Sequence, residues 1–121
     1  MRQFLSAKLH RGTVTVCDLN YEGSCGLGPE LLQASGIMPY EKISVLNIST
    51  GHRLETYVIP AKKRGEISLN GAAARYATVG DKVIIIAFAI VPEDRIASHQ
   101  ARIVILGEKN RILATRTKRP V

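Results

Sequence analysis

The stretch that most limits how this chain can fold is DKVIIIAFAIV, residues 81–91. This apolar run is rich in isoleucine and valine and lies between two chain-breaking residues, Gly80 and Pro92. A β-branched run of this length between turn residues is typical of a strand that is buried on both faces. We therefore expect a β-sheet protein with residues 81–91 as its central strand.

Other segments with the pattern of strands surround this run, and turn residues separate them. Two short helices are also predicted, one that begins at Pro29 and ends before Gly36, and one in which Asn70 is the N-cap of an alanine-rich segment. Many short strands with little helix favour a mainly β fold, and specifically a small closed β-barrel. The predicted strands are 11–19, 42–49, 52–61, 67–69 and a hairpin over 101–113.

Length and composition indicate one domain, residues 1–121, without a membrane segment. With 45% hydrophobic residues the chain can bury a core, yet no run of about 20 apolar residues is present. The first residues lack the apolar centre of a signal peptide, so we expect a cytoplasmic protein. Cys17 and Cys25 match neither a metal site nor a disulfide framework, and two reduced thiols are the simpler interpretation.

The net charge of +7 raises nucleic acids and acidic metabolites as partners. Five of the basic residues fall in the last thirteen positions, so residues 108–121 are interpreted as a basic, frayed tail. The six aromatic residues are scattered, whereas a face that binds single strands interleaves aromatic with basic residues. This pattern argues against nucleic acid as the partner.

The stretch NYEGSCGLG, residues 20–28, contains a Gly-Ser pair that by itself would indicate only a turn. It occurs together with AKLHR at 7–11, HRLETYVI at 52–59, RGEISLNGAAA at 64–74 and VGDKVIIIAFA at 79–89. In this order and spacing, the segments resemble the pyruvoyl-dependent aspartate 1-decarboxylase family over residues 3–106. The resemblance implies a six-stranded double-psi β-barrel with short helices.

The resemblance also implies that the chain cuts itself between Gly23 and Ser24. The products would be a β chain, 1–23, and an α chain, 24–121, with Ser24 converted to a covalent pyruvoyl cofactor and no metal. Such a cut requires the Ser24 hydroxyl to attack the preceding carbonyl, and glycine at 23 permits the backbone shape that this attack needs. In the family, the threonine that matches Thr56 stabilises the developing oxyanion.

The activity implied by the resemblance is decarboxylation of L-aspartate to β-alanine through a Schiff base on the pyruvoyl group, for pantothenate and coenzyme A synthesis. Tyr57 matches the family's proton donor, and Arg53 matches its carboxylate-binding arginine. Lys8 matches a second positive contact. Asn70 and the backbone amides of the three residues that follow it match groups that lie near the pyruvoyl in the family. These three residues are Gly71, Ala72 and Ala73.

The two-residue period of a strand adds a prediction about the segment 52–61. Arg53 and Tyr57 are four residues apart and share one face, whereas Thr56 points to the other. One face would then serve the substrate and the other the self-cleavage. We expect Arg53 to hold the carboxylate that is retained, because clamping the leaving one would stabilise the ground state.

Some features depart from the family pattern or leave alternatives open. Asn20 replaces a common histidine, and Leu46 replaces an aromatic residue found in some relatives. His10 matches a family histidine, but a structural and a catalytic role are equally compatible with it. The alternatives to the enzyme are an uncleaved binding module of the same fold and a basic β-barrel that binds nucleic acid.

The resemblance further implies a homotetramer with active sites shared between subunits. The sequence leaves open whether cleavage is unaided or needs a maturation helper. It also leaves open whether aspartate is strictly preferred over glutamate.

Overall fold

A computed structural model describes all residues from Met1 to Val121 and shows a chain that is mainly β. This confirms the predicted fold class, while closure of the sheet into a barrel stays a prediction. One α-helix, α1, spans Pro29–Ser35, and three 3₁₀ helices span Gly71–Tyr76, Glu93–Ser98 and Glu108–Asn110. The strands are β1 Arg2–Thr13, β2 Val16–Asp18, β3 Cys25–Leu27, β4 Lys42–Asn47, β5 Arg53–Pro60, β6 Ile67–Asn70, β7 Lys82–Val91, β8 Ala101–Leu106 and β9 Ile112–Lys118.

The nine strands form one sheet in the order β2-β6-β3-β5-β4-β7-β1-β8-β9. The apolar run becomes β7, which pairs antiparallel with both β1 and β4, so the prediction of a central strand is confirmed. Its alternate residues Val83, Ile85 and Ala87 are fully buried in the core. The expectation that this strand is buried on both faces is wrong, because its other face is only half covered and Phe88 and Ile90 on that face are exposed.

The prediction of a single strand over 11–19 is wrong, because the strand partners change within this segment. Strand β1 pairs with β7 and β8, whereas β2 pairs with β6. Strand β1 starts at Arg2 and ends at Thr13, and the short β2 begins at Val16. Between them, the Val14 N–H donates to the Asp81 carbonyl and the Thr15 N–H donates to the Ile67 carbonyl. Val14 is completely buried at this crossing, so its apolar side chain serves the core and not a continued strand.

Both predicted helices form at the expected positions. α1 opens with proline and ends at Gly36, which has φ of +76° and donates its N–H to the Leu32 carbonyl. This left-handed termination is the reason for a glycine there. The second helix is a short 3₁₀ turn, and Asn70 occupies its N-cap position without a side-chain capping hydrogen bond.

The prediction of a frayed basic tail is wrong for residues 112–118. These residues form β9, which pairs antiparallel with β8 from Leu106↔Ile112 to Ala101↔Lys118. The predicted hairpin over 101–113 is therefore confirmed and extends beyond the predicted end. The high charge of this segment suggested disorder. Exposed charged side chains do not prevent backbone pairing at the edge of a sheet, so the charge did not exclude a strand.

The core lies beneath the inward faces of the central strands and α1. Each large apolar side chain that is fully buried contributes about 1.5–3 kcal/mol to folding. No helix in the structure combines the length and apolar character needed to cross a bilayer. The largest fully buried side chains are Leu9, Leu27, Leu31, Ile43, Ile67, Leu69 and Ile85.

Strand β3 positions the Gly-Ser segment. It lies between β5 and β6, parallel to the first and antiparallel to the second. Cys25 pairs with Val58 on one side and with Leu69 on the other. Because Ser24 directly precedes Cys25, this double pairing brings it next to Tyr57 and Asn70.

Candidate active site

The peptide bond between Gly23 and Ser24 lies at the entry to β3 and is held on its C-terminal side by β6. The backbone N–H of Asn70 donates to the Ser24 carbonyl oxygen at 2.9 Å. On the N-terminal side, the Tyr57 hydroxyl donates to the carbonyl oxygen of Glu22 at 3.3 Å. Two strands that are distant in sequence therefore fix the segment from both sides.

The backbone at this junction is strained. Gly23 has φ of +66° and Ser24 has φ of +89°, both in the region that favours glycine. A residue with a side chain held there typically costs about 1–3 kcal/mol. Strain of this kind, concentrated at one peptide bond, is a feature of functional sites.

The Ser24 side chain is buried and has no hydrogen-bond partner. The residue is 2% exposed, and its Oγ atom bonds no other group in the protein. A buried hydroxyl without a partner typically costs about 1–3 kcal/mol. The oxygen is therefore not engaged by a competing donor or acceptor and remains available as a nucleophile.

Gly71 packs directly against the strained junction. A Cβ atom on Gly71 would lie 2.5 Å from the Gly23 nitrogen and 2.9 Å from the Tyr21 carbonyl oxygen, and its φ is +61°. Only glycine permits this approach of two backbones. The sequence indicated amides near the site at 70–73 but not this packing, since an Asn-Gly pair also occurs in ordinary turns.

Exposure along β5 alternates as a strand requires, with Arg53, Glu55 and Tyr57 exposed and Leu54, Thr56 and Val58 more covered. Tyr57 is 39% exposed, and its ring lies 6.1 Å from that of Tyr40. Thr56, on the covered face, makes no side-chain hydrogen bond to the Gly23 carbonyl. Its oxyanion role stays a prediction.

Arg53 begins β5 and lies opposite Leu46 on β4. Together with Ser44, Leu54 and Glu55, these two residues line an open cavity of about 390 Å³. Arg53 forms no ion pair, whereas the neighbouring Glu55 pairs with Lys42 at 3.3 Å. Four residues of strand put Arg53 about 13 Å from Tyr57 along β5.

Lys8 does not lie beside Arg53 within one chain. Lys8 pairs with Ile86 on β7, Ile86 pairs with Ser44 on β4, and Ser44 pairs with Glu55 on β5. Two whole strands, β7 and β4, therefore lie between Lys8 and β5, and the three strand spacings amount to about 14 Å along the sheet. One copy of the chain does not bring the two predicted cationic contacts together.

His10 lies two residues beyond Lys8 on β1. Its Nδ1 atom is buried and has no hydrogen-bond partner. Burial lowers the pKa of the His10 imidazole below its ordinary value, and the positive charges of Lys8 and Arg11 lower it further. At neutral pH the ring is therefore uncharged.

The remaining residues predicted to bind substrate lie at the start of the 3₁₀ helix. Asn70 is 6% exposed and its side-chain amide makes no hydrogen bond, so it is available to another group. Ala72 is exposed and Ala73 is buried. The structure thus groups Gly23, Ser24, Tyr57, Asn70 and Gly71 at one position.

The cysteines take no part in this group. Both are free in the structure, and the prediction of two reduced thiols stays a prediction. Cys25 is completely buried, and burial raises the pKa of its thiol to about 12. The thiol is therefore protonated at neutral pH and serves the core, although it directly follows Ser24.

The sheet and the strained junction define a small, mainly β protein with an enzyme-like site centred on one serine. A model of the aspartate decarboxylase family matches residues 1–113. The aspartate 1-decarboxylase of Ralstonia nicotianae is 54% identical over 112 residues, which cover 92% of this chain and 93% of the relative. That of Carboxydothermus hydrogenoformans is 50% identical over 115 residues, covering 94% and 91%. The chain belongs to the aspartate decarboxylase family, which confirms the resemblance inferred from the motifs.

Proposed function

We propose that this protein is a self-processing enzyme that decarboxylates L-aspartate to β-alanine and CO₂ with a pyruvoyl group derived from Ser24. The product would feed pantothenate and coenzyme A synthesis in the cytoplasm. The observation that carries the proposal is the Ser24 geometry, since a buried hydroxyl without a partner sits on strained backbone next to Gly23. Membership of the aspartate decarboxylase family supports the substrate.

In the processing step, Ser24 Oγ attacks the Gly23 carbonyl carbon and the Ser24 nitrogen departs, so that an ester replaces the amide. Loss of the Ser24 α-proton then expels Gly23 as a carboxylate. Hydrolysis of the remaining enamine releases ammonia and leaves a ketone at residue 24. Strain in the amide is relieved along this path, and Thr56 supplies the hydroxyl that stabilises the oxyanion.

The residues at the junction fit a pyruvoyl group. Conversion of Ser24 to a ketone removes its Oγ, which leaves with the Gly23 carboxylate, and no hydrogen bond in the chain depends on that atom. When formed, the group supplies an electron sink for the electrons released with CO₂. Arg53 binds and orients the retained carboxylate through its planar guanidinium, and Tyr57 delivers the proton from its hydroxyl. Asn70 contributes its uncommitted side-chain amide together with the amides of Gly71, Ala72 and Ala73.

We also propose that the working form is a homotetramer with active sites shared between copies. Two whole strands, β7 and β4, separate Lys8 from the strand of Arg53, so a single chain does not place the two cations side by side. A neighbouring copy that covers the half-exposed outer face would bring a second Lys8 towards Arg53. Native mass spectrometry tests the stoichiometry, and a monomer with full activity would overturn this assignment.

The test of processing is intact mass spectrometry of the purified, denatured protein. We expect two chains, residues 1–23 and residues 24–121. The larger chain should be lighter, by the mass of one ammonia, than the same chain with an N-terminal serine. The larger chain should also react with a hydrazide. A single chain would contradict self-processing and would favour an uncleaved binding module.

Ser24→Ala should give one intact chain without decarboxylase activity. Ser6→Ala is the matched control, because Ser6 Oγ is also a buried hydroxyl without a partner but lies on β1. Cleavage and activity of Ser6→Ala should equal those of the wild type. Equal loss in both variants would show that the serine-to-alanine change acts through folding.

A further inference from the structure

A second group of charged residues lies where two loops meet, away from Ser24. One loop follows β5 and the other follows β8, and we call the space between them the cationic groove, formed by Lys63, Arg64, Lys109 and Arg111. The loops touch through their backbones. A Cβ atom on Gly65, whose φ is +76°, would lie 2.9 Å from the Lys109 carbonyl oxygen.

Asn110 holds the two loops in a fixed arrangement. Its side chain is completely buried, and its Nδ2 donates to the carbonyl oxygens of Gly65 and Thr13, each at 2.8 Å. Its Oδ1 accepts the Thr13 N–H at 2.7 Å. Every hydrogen-bonding group of the amide except one acceptor position is thus used to join three segments. The cations on both loops are therefore presented from a rigid frame.

The cations of the groove have no ion-pair partners. The three ion pairs of the protein involve Glu93 and Glu55 as the acids, and neither lies at the groove. Two acidic residues do border it, namely Glu30 and Glu66. Glu30 is partly committed, because its Oε2 accepts the Gly65 N–H at 2.7 Å. Among the residues that line the two cavities, the four cations of the groove face two acids, Glu30 and Glu66, so the groove keeps an excess of two positive charges.

The groove contains two adjoining cavities, of about 300 and 340 Å³, that share Arg64, Gly65 and Lys109. These volumes are within the range of small-molecule sites. Val16 is the only hydrophobic residue that lines the first cavity, and it lies beside Lys63, Arg64 and Lys109. Aliphatic stems of long cationic side chains provide an apolar surface. A matching ligand combines an anionic group with an organic part.

We propose that the cationic groove binds a small organic phosphate of the nucleoside diphosphate class. The phosphates contact Lys63, Arg64 and Lys109, and the organic part lies against Val16 and the side-chain stems. Arginine and lysine are the usual phosphate partners in proteins. The groove is separate from the reaction site, because it lies at the opposite ends of β2 and β6 from Asp18 and Asn70, which approach the Ser24 junction.

Isothermal titration calorimetry of the purified wild-type protein with adenosine diphosphate tests this site. We expect saturable binding of one ligand per chain that weakens as salt is added, since exposed charges are screened. Adenosine diphosphate should bind more tightly than inorganic pyrophosphate, because only the former has an organic part. No saturable binding, or equal affinity for the two probes, would overturn the proposal.

Two triple variants with the same change in net charge locate the site. Lys63→Gln with Arg64→Gln and Lys109→Gln should weaken binding by at least about tenfold. Arg116→Gln with Lys118→Gln and Arg119→Gln should leave it unchanged. Equal weakening in both triples would mean that net charge alone attracts the ligand, which contradicts a built site. Cleavage and decarboxylation should be unaffected in either triple, so this test is independent of the proposed function.

Discussion

Asn70 donates its backbone N–H to the carbonyl oxygen of Ser24 at 2.9 Å, which anchors the strained serine to β6. The Tyr57 hydroxyl anchors the preceding segment through the Glu22 carbonyl at 3.3 Å. The bond between Gly23 and Ser24 is thus held from two sides, and the strain at Ser24 cannot relax by a shift of the loop alone. Residues that maintain this arrangement should control the rate of cleavage.

Gly71→Ala should slow self-cleavage by about 10²-fold, since small misplacements of reacting atoms have effects of this size. The added Cβ would lie 2.5 Å from the Gly23 nitrogen, so the junction must move. The fraction of cleaved chain against time after synthesis, measured by intact mass, checks this expectation.

Gly80→Ala is the matched control for Gly71→Ala. Gly80 also has a positive φ, of +99°, but a Cβ atom added there would have no neighbouring atom within 4 Å. In both variants the alanine must adopt a positive φ, which should lower the free energy of unfolding by about 1–2 kcal/mol. Only the first should slow cleavage, and equal rates in the two variants would contradict the packing role of Gly71.

Tyr57→Phe should lower the decarboxylation rate by about 10²-fold or more, because it removes the proton donor. Cleavage should still proceed, although more slowly, because the variant loses the hydrogen bond to the Glu22 carbonyl but keeps Thr56, whose hydroxyl is the one assigned to processing. Steady-state kinetics and intact mass separate the two effects. Tyr40→Phe is the control, because Tyr40 stacks near Tyr57 but is 78% exposed and its hydroxyl makes no hydrogen bond. A fully active Tyr57→Phe enzyme would refute the assignment of the proton donor.

Arg53→Lys should raise KM for aspartate by about tenfold or more, because an ammonium group cannot reproduce the two parallel hydrogen bonds of a guanidinium. The rate at saturating substrate should fall less than the affinity if the arginine holds the retained carboxylate. Initial-rate kinetics measure both. Arg116→Lys on β9 makes the same chemical change away from the site and should leave KM unaltered. Unchanged KM in Arg53→Lys would remove the arginine from substrate binding.

Lys8→Gln should raise the pKa of His10, because the Lys8 charge is one cause of the lowered value. In the folded protein this pKa lies below the ordinary 6.5. As pH falls below 6.5, the unfolded chain therefore takes up a proton on His10 before the folded chain does. The free energy of unfolding is not reduced by His10 above pH 6.5, and it decreases as pH falls below that value. Lys8→Gln should make this decrease in the free energy of unfolding smaller, because the His10 pKa in the folded protein is then closer to 6.5.

An NMR titration of the His10 ring carbons measures this shift directly. Lys62→Gln is the control, because Lys62 carries the same charge on an exposed turn and is not among the causes of the lowered pKa. An unchanged His10 pKa in Lys8→Gln would contradict the electrostatic contact between the two residues.

Local patterns were sufficient where the determining residues are neighbours in sequence. The apolar period of residues 81–91 predicted β7, and Pro29 with Gly36 predicted the bounds of α1. The pattern failed at 11–19, because the end of β1 is decided by hydrogen bonds to Asp81 and Ile67. It also failed at the C-terminus, because pairing of β9 depends on the edge offered by β8.

Motifs and periodicity are properties of short segments, so they were sufficient to predict the family, the mainly β fold and a set of candidate residues for the reaction site. The three-dimensional arrangement was needed to show that Ser24 Oγ lacks a partner, that Gly71 packs on Gly23, and that two strands separate Lys8 from the strand of Arg53. These relationships depend on the order and register of strands that are distant along the chain. No local pattern encodes them, because pairing energy is shared among all the strands that meet in the sheet.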